Sequence, residues 1–176
     1  VGFSALSLNT TASGNVAVGY LAMQDSTTAA NATAVGYEAL ANNTTSNGNH
    51  AFGFRALKTC TSGASNVAVG GSALDAVTTG SNNVAVGSSA GGAITTGIRN
   101  VCIGESAGDH SPPLTTGNYN VVIGAYAEPT TADAQFAIAI GYDVSGAGGY
   151  TTVGQQTNDI RAAHGTATWA TVSDQR

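Results

Sequence analysis

The chain has few charged side chains, and this shortage excludes several classes of function. Only 9% of the 176 residues are charged, only five residues are lysine or arginine, and the net charge is −5. Proteins that bind nucleic acid display clustered basic residues, and anionic lipid repels an acidic surface. We therefore expect neither a nucleic-acid partner nor direct insertion into a membrane.

Aromatic residues and prolines are also scarce, whereas glycine is abundant. Aromatic side chains make up 6% of the chain, which contains three prolines and 24 glycines. An ordinary globular core for a chain of this length needs more large side chains than these. The composition instead favours a fold made of tight turns and small, closely packed residues.

The residue types that usually form catalytic or metal sites are isolated from one another. His50, His110 and His164 have no second histidine or carboxylate at a spacing typical of metal ligands, and the carboxylates are scattered singly. No pair of acidic residues suggests general acid–base catalysis. The sequence predicts no metal, no cofactor and no enzyme activity, apart from the self-cleavage described below.

What the chain does have is a repeat. A glycine that follows a short apolar segment recurs every 17 residues, and one step, in which residues 110–113 fall, is three residues longer. The motif glycines are Gly2, Gly19, Gly36, Gly53, Gly70, Gly87, Gly104, Gly124 and Gly141. A short fixed period is typical of stacked solenoid coils rather than of a globular core. The longer step predicts a loop that bulges from one coil and leaves the other coils in register.

The residues before each motif glycine predict a β-strand. Segments such as 16–18 and 67–69, both Val-Ala-Val, alternate β-branched and small residues, and successive side chains of a strand point to opposite faces. We expect the bulky valines to fill the inside of each coil and the alanine to face a closely packed neighbour. The glycine is expected at a corner that a Cβ atom would obstruct.

The second half of each repeat contains another apolar pair. Alanine occurs three residues after most motif glycines and is usually followed by leucine or methionine, as at Ala22 and Met23. We expect this pair to mark a second short strand. Turns rich in Thr, Ser, Asn and Gly are expected between the coils.

Asparagine occurs four residues before most motif glycines. The positions are Asn15, Asn49, Asn66, Asn83, Asn100 and Asn120. Two structural interpretations are open, namely a ladder of inward-facing amides and an Asx-type turn. The repeat at residues 32–36 lacks this asparagine and the repeat at residues 50–53 begins with histidine, so we expect these two coils to be the most irregular.

The period also predicts the shape of the assembly. Coils that rise by about 4.8 Å would form, over about nine coils, a rod of roughly 40–45 Å. Because such a thin coil has a small interior, we expect it to be stabilised by association along its length, as a homotrimer about a long axis. Cys60 and Cys102 are more than two coils apart, beyond the reach of a disulfide, and are expected to be free thiols.

The repeats have a recognisable likeness. The Asn-Val-Ala-Val-Gly and Asn-Val-Val-Ile-Gly segments, over about residues 1–143, resemble the head repeats of YadA-type trimeric autotransporter adhesins, and near-identical repeats occur in bacteriophage tail fibres. The resemblance implies an all-β fold, a left-handed parallel β-roll in each of three chains, and an adhesive or shaft role. Residues 144–176, where the register fades, would form a transition or tip region.

The end of the chain has a second likeness. Its last four residues, Ser-Asp-Gln-Arg, resemble the start of the intramolecular chaperone domain of the peptidase S74 family, which is found at the C-terminus of many phage tail fibres. That domain trimerises the fibre and then releases itself by self-cleavage. The resemblance implies a scissile bond between Ser173 and Asp174. Because the chain begins within a repeat, we expect it to be a segment of a longer protein.

Aromatic residues give the sequence its one indication of a recognition surface. Four of them follow successive motif glycines and should stack one coil apart: Phe3, Tyr20, Tyr37 and Phe54. Such a stack is either a structural ladder or a carbohydrate-binding strip, since exposed aromatic faces suit sugar rings. Tyr150 and Trp169, near the C-terminal end, are a second candidate surface.

Three functions can be compared on these features. A trimeric phage tail fibre would bind a host-cell glycan or protein and other virion tail proteins. The head of a bacterial trimeric adhesin, on the cell surface, would require a downstream stalk and membrane anchor. A depolymerase would require wider coils with clustered carboxylates, which this sequence lacks. We predict a structural and adhesive tail-fibre segment of a virion, with avidity from three identical copies.

Overall fold

The fold is a parallel β-solenoid of about eight coils with a spacing of about 17 residues. A computed structural model describes residues 1–156 and 158–165, which form strands and turns and contain no helix. The expected fold class, all-β with a parallel solenoid, is therefore confirmed. The coils number about eight rather than nine because the first repeat, beginning at Val1, forms no strand of its own.

Most of the strands are three residues long. Their bounds are β1 Val16–Val18, β2 Thr33–Val35, β3 His50–Phe52, β4 Val67–Val69, β5 Val84–Val86, β6 Val101–Ile103, β7 Val121–Ile123, β8 Glu128–Pro129, β9 Ile138–Tyr142, β10 Ser145–Gly146, β11 Tyr150–Gln155 and β12 Asn158–Ala163. The main sheet has the order β1-β2-β3-β4-β5-β6-β7-β9-β11-β12, and β8 pairs with β10 in a second sheet. All of these pairs are parallel except β11 with β12.

Equivalent residues of neighbouring coils lie directly opposite each other. Ala17 pairs with Ala34, and Ala34 pairs with Ala51. The lengthened step does not shift this register, because Cys102 pairs with Val122. The coils that contain β2 and β3 keep the same three-residue pairing as the others, so the expectation that they would be the most irregular was wrong for the backbone.

The strands point their small residue inward, which is the reverse of the sequence prediction. In each of β1–β7 the middle residue is buried and the two flanking residues are not. Ala34 is 0% exposed, whereas Val16 and Val18 are 51% and 42% exposed. The interior of a 17-residue coil is narrow and already contains a leucine or an equivalent side chain, so there is room only for a small residue opposite it.

Inside the coils, a large side chain at one inward position is matched by a residue without a side chain at a neighbouring inward position. Leu74 fills the interior of its coil, and the equivalent residue in the next coil is Gly91. A Cβ atom on Gly91 would lie 2.8 Å from Leu74 Cδ2 and 3.1 Å from Ile94 Cδ1. Similarly, a Cβ atom on Gly108 would lie 2.9 Å from Cys102 Sγ. A larger side chain at one inward position is therefore accommodated by a glycine at another.

The second apolar pair of each repeat lies in a turn, so the predicted second strand is absent there. Residues 20–25 form such a turn, in which Leu21 and Met23 have φ angles of 55° and 51°. The turns still bond from coil to coil, since Met23 N donates to Ala39 O at 3.0 Å and Leu21 N donates to Phe3 O at 2.9 Å. These hydrogen bonds and the burial of Met23 offset a left-handed conformation that costs about 1–2 kcal/mol per residue.

The asparagines form the ladder that was one of the two interpretations of the sequence. Asn66 Nδ2 donates to Asn49 Oδ1 at 3.2 Å and to Gly80 O at 2.9 Å, while Asn66 N donates to the same Asn49 Oδ1 at 2.9 Å. The continuous ladder consists of Asn49, Asn66, Asn83, Asn100 and Asn120, all buried. Each amide thus closes its own coil and bonds to the next, and Ala32 interrupts the series.

The motif glycines occupy the corners where the coils approach most closely. Gly70 has a φ of 135°, and a Cβ atom there would overlap the carbonyl oxygen of Gly87 in the next coil. The other motif glycines have φ angles between 127° and 145°. The sequence prediction of an obstructed corner is therefore confirmed, and the obstruction is the backbone of the next coil.

Replacing a corner glycine should disrupt the stacking. We expect Gly70→Ala to destabilise the protein by at least about 3 kcal/mol, because both the backbone conformation and the space exclude a Cβ atom. Gly71→Ala is the matched control, since a Cβ atom on the adjacent Gly71 would have nothing within 4 Å. Thermal unfolding at equal protein concentration measures both variants, and equal melting temperatures would contradict this account of the corner.

Breaking the amide ladder should also be costly. Asn83→Ala removes a side chain that donates to Gly97 O at 2.9 Å and accepts from Asn100 N at 3.0 Å, so buried polar groups lose their partners. We expect a loss of about 2–4 kcal/mol in the free energy of unfolding. Thr79→Ala, at an exposed turn position of the same region, is the control and should have little effect. Similar losses in both variants would show that the ladder is not a special source of stability.

Candidate functional site

The outward face of the strands is an exposed apolar surface, which we call the strand face. It consists of the two flanking residues of each strand from β1 to β7, and of Ile138 and Ile140 in β9. Its exposed large side chains are Val16, Val18, Phe52, Val69, Val86 and Ile103. Single chains rarely expose a contiguous apolar surface of this kind unless it contacts a partner. The strand face is therefore a candidate surface for assembly.

The four predicted aromatic residues form a continuous exposed stack, which we call the aromatic stack. The ring centroids of Phe3, Tyr20, Tyr37 and Phe54 are 5.2–5.4 Å apart in sequence order, with interplanar angles of 10–15°. The prediction that these rings stack one coil apart is confirmed. Gly71 takes the fifth position and ends the stack. A structural ladder and a sugar-binding strip both fit this geometry.

The other predicted site residues are not brought together with this stack. Tyr150 begins β11, is exposed, and pairs with Ala163 of β12 near the opposite end of the main sheet. Trp169, Ser173 and Asp174 lie outside the described residues. The surface that combines Tyr150 with Trp169, and the cleavage junction, therefore stay predictions.

A second aromatic stack was missed by the sequence analysis. The rings of Tyr119 and Phe136 are stacked at 5.1 Å and 9°, and the Arg99 guanidinium lies 5.4 Å from the Tyr119 ring. Arg99 Nη1 also donates to the Tyr119 hydroxyl at 2.6 Å. All three residues precede an asparagine or its equivalent in the repeat. Comparing that position between repeats, as was done for the position after the glycine, would have revealed the stack.

The cysteines are free and buried, as the sequence predicted. Burial raises the pKa of the Cys60 thiol to about 11 and that of the Cys102 thiol to about 12. Both thiols are therefore protonated near neutral pH. A protonated thiol, unlike a thiolate, is a poor nucleophile and a poor metal ligand. Cys102 is the inward residue of β6, so it belongs to the interior and not to the strand face.

Metal-ligand clusters and membrane-spanning helices are absent from the described part of the chain. Over residues 1–156 and 158–165, no three His, Cys, Asp or Glu side chains lie close enough together to hold a metal ion. Nor does this described part of the chain contain a helix that is long and apolar enough to span a membrane. The surfaces that stand out are thus the apolar and aromatic ones.

Comparison with known proteins gives no match: no protein-family model, no curated protein and no solved structure is significantly similar to the chain. The resemblance to YadA-type heads and to phage fibres therefore depends on the repeat motif. The stacked parallel coils are consistent with it.

Proposed function

We propose that the protein is a structural and adhesive segment of a homotrimeric fibre, and specifically of a phage tail fibre that attaches a virion to its host cell. The observation that carries this proposal is the strand face, an apolar surface that one chain leaves exposed along the main sheet. A soluble fibre of several chains would cover this surface between its copies.

The repeat explains why copies would associate side by side. Val69, Val86 and Ile103 occur at the same position of three successive coils and are neighbours in the parallel pairing. A contact that forms between two chains at one coil can thus form again at the next coil. Three chains aligned in parallel about a long axis would repeat this contact along the rod, with all their N-termini at one end, as a fibre requires.

The adhesive role is proposed for the surfaces that remain outside such an interface. The aromatic stack offers a continuous strip of exposed aromatic side chains, which suits a host-cell glycan or a protein partner. Three identical copies of a weak site bind a multivalent cell surface with higher avidity than one copy. Rigidity comes from the coil-to-coil hydrogen bonds, which hold the sites of a chain at fixed spacings.

The alternative is the head of a bacterial trimeric adhesin, which has the same repeat and would use the same strand face. The Ser-Asp-Gln-Arg ending favours the phage fibre, with self-cleavage between Ser173 and Asp174. A polypeptide isolated from virions and ending at Ser173 would support the fibre. A polypeptide that continues into a stalk and a membrane anchor would support the adhesin.

Charge on the strand face should prevent trimerisation. We expect the wild-type protein to have a native mass three times the 17.3 kDa of the chain. Val86→Glu places a carboxylate at an exposed position of the face, and burying it between chains without a partner is unfavourable. The variant should associate at least tenfold more weakly while keeping its β circular dichroism spectrum. Native mass spectrometry and sedimentation measure the association.

The matched control is Thr79→Glu, which adds the same charge at an exposed turn position outside the strand face. This variant should remain trimeric. A monomeric wild-type protein would contradict the trimer, and an unchanged trimer in Val86→Glu would show that the chains associate through a different surface. If the protein is a trimer but does not compete with virions for host cells, the proposed trimer is supported and the adhesive role is contradicted.

A further inference from the structure

The three-residue lengthening of one coil creates a concave site, which we call the loop cleft. Its lining residues are His110, Tyr126, Tyr142 and Asp143, and its volume is about 330 Å³. His110 comes from the lengthened coil, Tyr126 follows β7, and Tyr142 ends β9. Residues from three successive coils thus meet in a space large enough for one or two sugar rings, at the small end of the range for ligand sites.

The rings of the loop cleft are arranged differently from those of the aromatic stack. Tyr126 and Tyr142 are 6.0 Å apart at an interplanar angle of 89°, and His110 and Tyr126 are 5.6 Å apart at 63°. Rings within a parallel stack cover each other's faces, whereas an edge-to-face pair covers only one face of one of its two rings. The electron-rich face of a tyrosine attracts the weakly positive C–H groups of a sugar ring.

The positions of these rings within the repeat explain why they do not stack. Tyr142 occupies the position after the motif glycine, which is the position of the aromatic stack, but the preceding coil has Ala125 there. No ring at the equivalent position of the preceding coil therefore covers the ring of Tyr142. Tyr126 lies one residue further along the coil, at the position that Asp143 occupies in the next coil.

Carboxylates dominate the electrostatics of the loop cleft. Asp143 lies in its lining, with Gln156 Nε2 at 3.5 Å from Oδ2. The charge of Glu105 and a side-chain hydrogen bond with it raise the pKa of the Tyr126 hydroxyl, so Glu105 lies beside the loop cleft. Burial raises the pKa of Glu128, whose Oε2 lies 3.2 Å from His110 Nδ1. Nearby acidic groups thus outnumber the one imidazole.

The pairing of His110 with Glu128 was not predicted from the sequence, where the search of the histidines concerned only spacings typical of metal ligands. The two residues are 18 positions apart, and the lengthened loop brings the imidazole over the buried carboxylate of the next coil. This contact fixes one wall of the loop cleft.

We propose that the loop cleft binds an uncharged pyranose unit of a cell-surface glycan and excludes anionic sugars. The sugar ring packs its C–H groups on the Tyr142 face, and its hydroxyl groups donate to the Asp143 carboxylate. A sialic acid, a uronic acid or a phosphorylated sugar would bring its negative charge close to Asp143 and Glu105. The inference rests on the proposed function only in taking the glycan to be a receptor of the host cell.

The test uses the protein in its native assembly, with an array of neutral oligosaccharides and their sialylated or uronic-acid counterparts as probes. We expect binding to neutral members of the array. For the best ligand, Tyr142→Ala should weaken binding at least tenfold by titration calorimetry. Asp143→Asn keeps the shape of the side chain and tolerates the φ of 53° at this position, and it should weaken binding severalfold.

The matched control is Tyr119→Ala, since Tyr119 is an exposed tyrosine outside the loop cleft and outside the aromatic stack, with an exposure of 40% against 47% for Tyr142. This variant should bind the ligand as the wild type does. Tyr20→Ala is measured beside it, to test the aromatic stack separately. The inference would be overturned by binding to no neutral glycan, by stronger binding to anionic glycans, or by unchanged affinity in Tyr142→Ala. It would also be overturned if Tyr142→Ala dissociated the assembly, because Tyr142 would then belong to a contact between chains.

The same experiment separates failure of this inference from failure of the proposed function. If glycan binding depends on Tyr20 rather than on Tyr142, the aromatic stack is the receptor site and the proposed fibre function is supported. If no glycan binds and the trimer still competes with virions for host cells, the receptor is not a neutral glycan in the loop cleft. If the trimer does not compete either, the adhesive function itself fails.

Discussion

The whole structure depends on one constraint: each residue must stack on the equivalent residue of the next coil at the spacing of hydrogen-bonded strands, about 4.8 Å. Side chains that can stack at this spacing recur at the same position of successive coils. The buried amides from Asn49 to Asn120 and the rings from Phe3 to Phe54 are examples. Positions where a side chain would meet the next backbone must be glycine, as at Gly70. The sequence has a 17-residue period because each coil must satisfy this same constraint.

The sequence could predict every feature that follows directly from the repeat, including the parallel strands, the glycine corners and the aromatic stack. It could not predict which strand face is inside, because alternation shows only that Val16 and Ala17 point in opposite directions. The width of the coil decides that question. The predicted second strand was wrong for a related reason. Leucines such as Leu40 rarely adopt a left-handed conformation, and its cost is offset here by coil-to-coil hydrogen bonds and by burial of the side chain, neither of which the sequence shows.

Regular and irregular parts of the solenoid have different roles in this account. The regular strands give the strand face, where identical side chains in successive coils suit contact with further copies of the chain. The irregular coil, lengthened at residues 110–113, gives the loop cleft, where side chains of different types converge. Sequence analysis located the lengthened loop but not the cleft, because His110 and Glu128 meet only once the coils are stacked.

An electron cryomicroscopy structure of the assembled protein would show directly whether the stacked coils associate through the strand face. We expect three parallel chains about one axis, with the valine and isoleucine side chains of the strand face buried between them and the alanines inside each coil. Copies that associate in antiparallel fashion, or that leave the strand face in solvent, would contradict this arrangement.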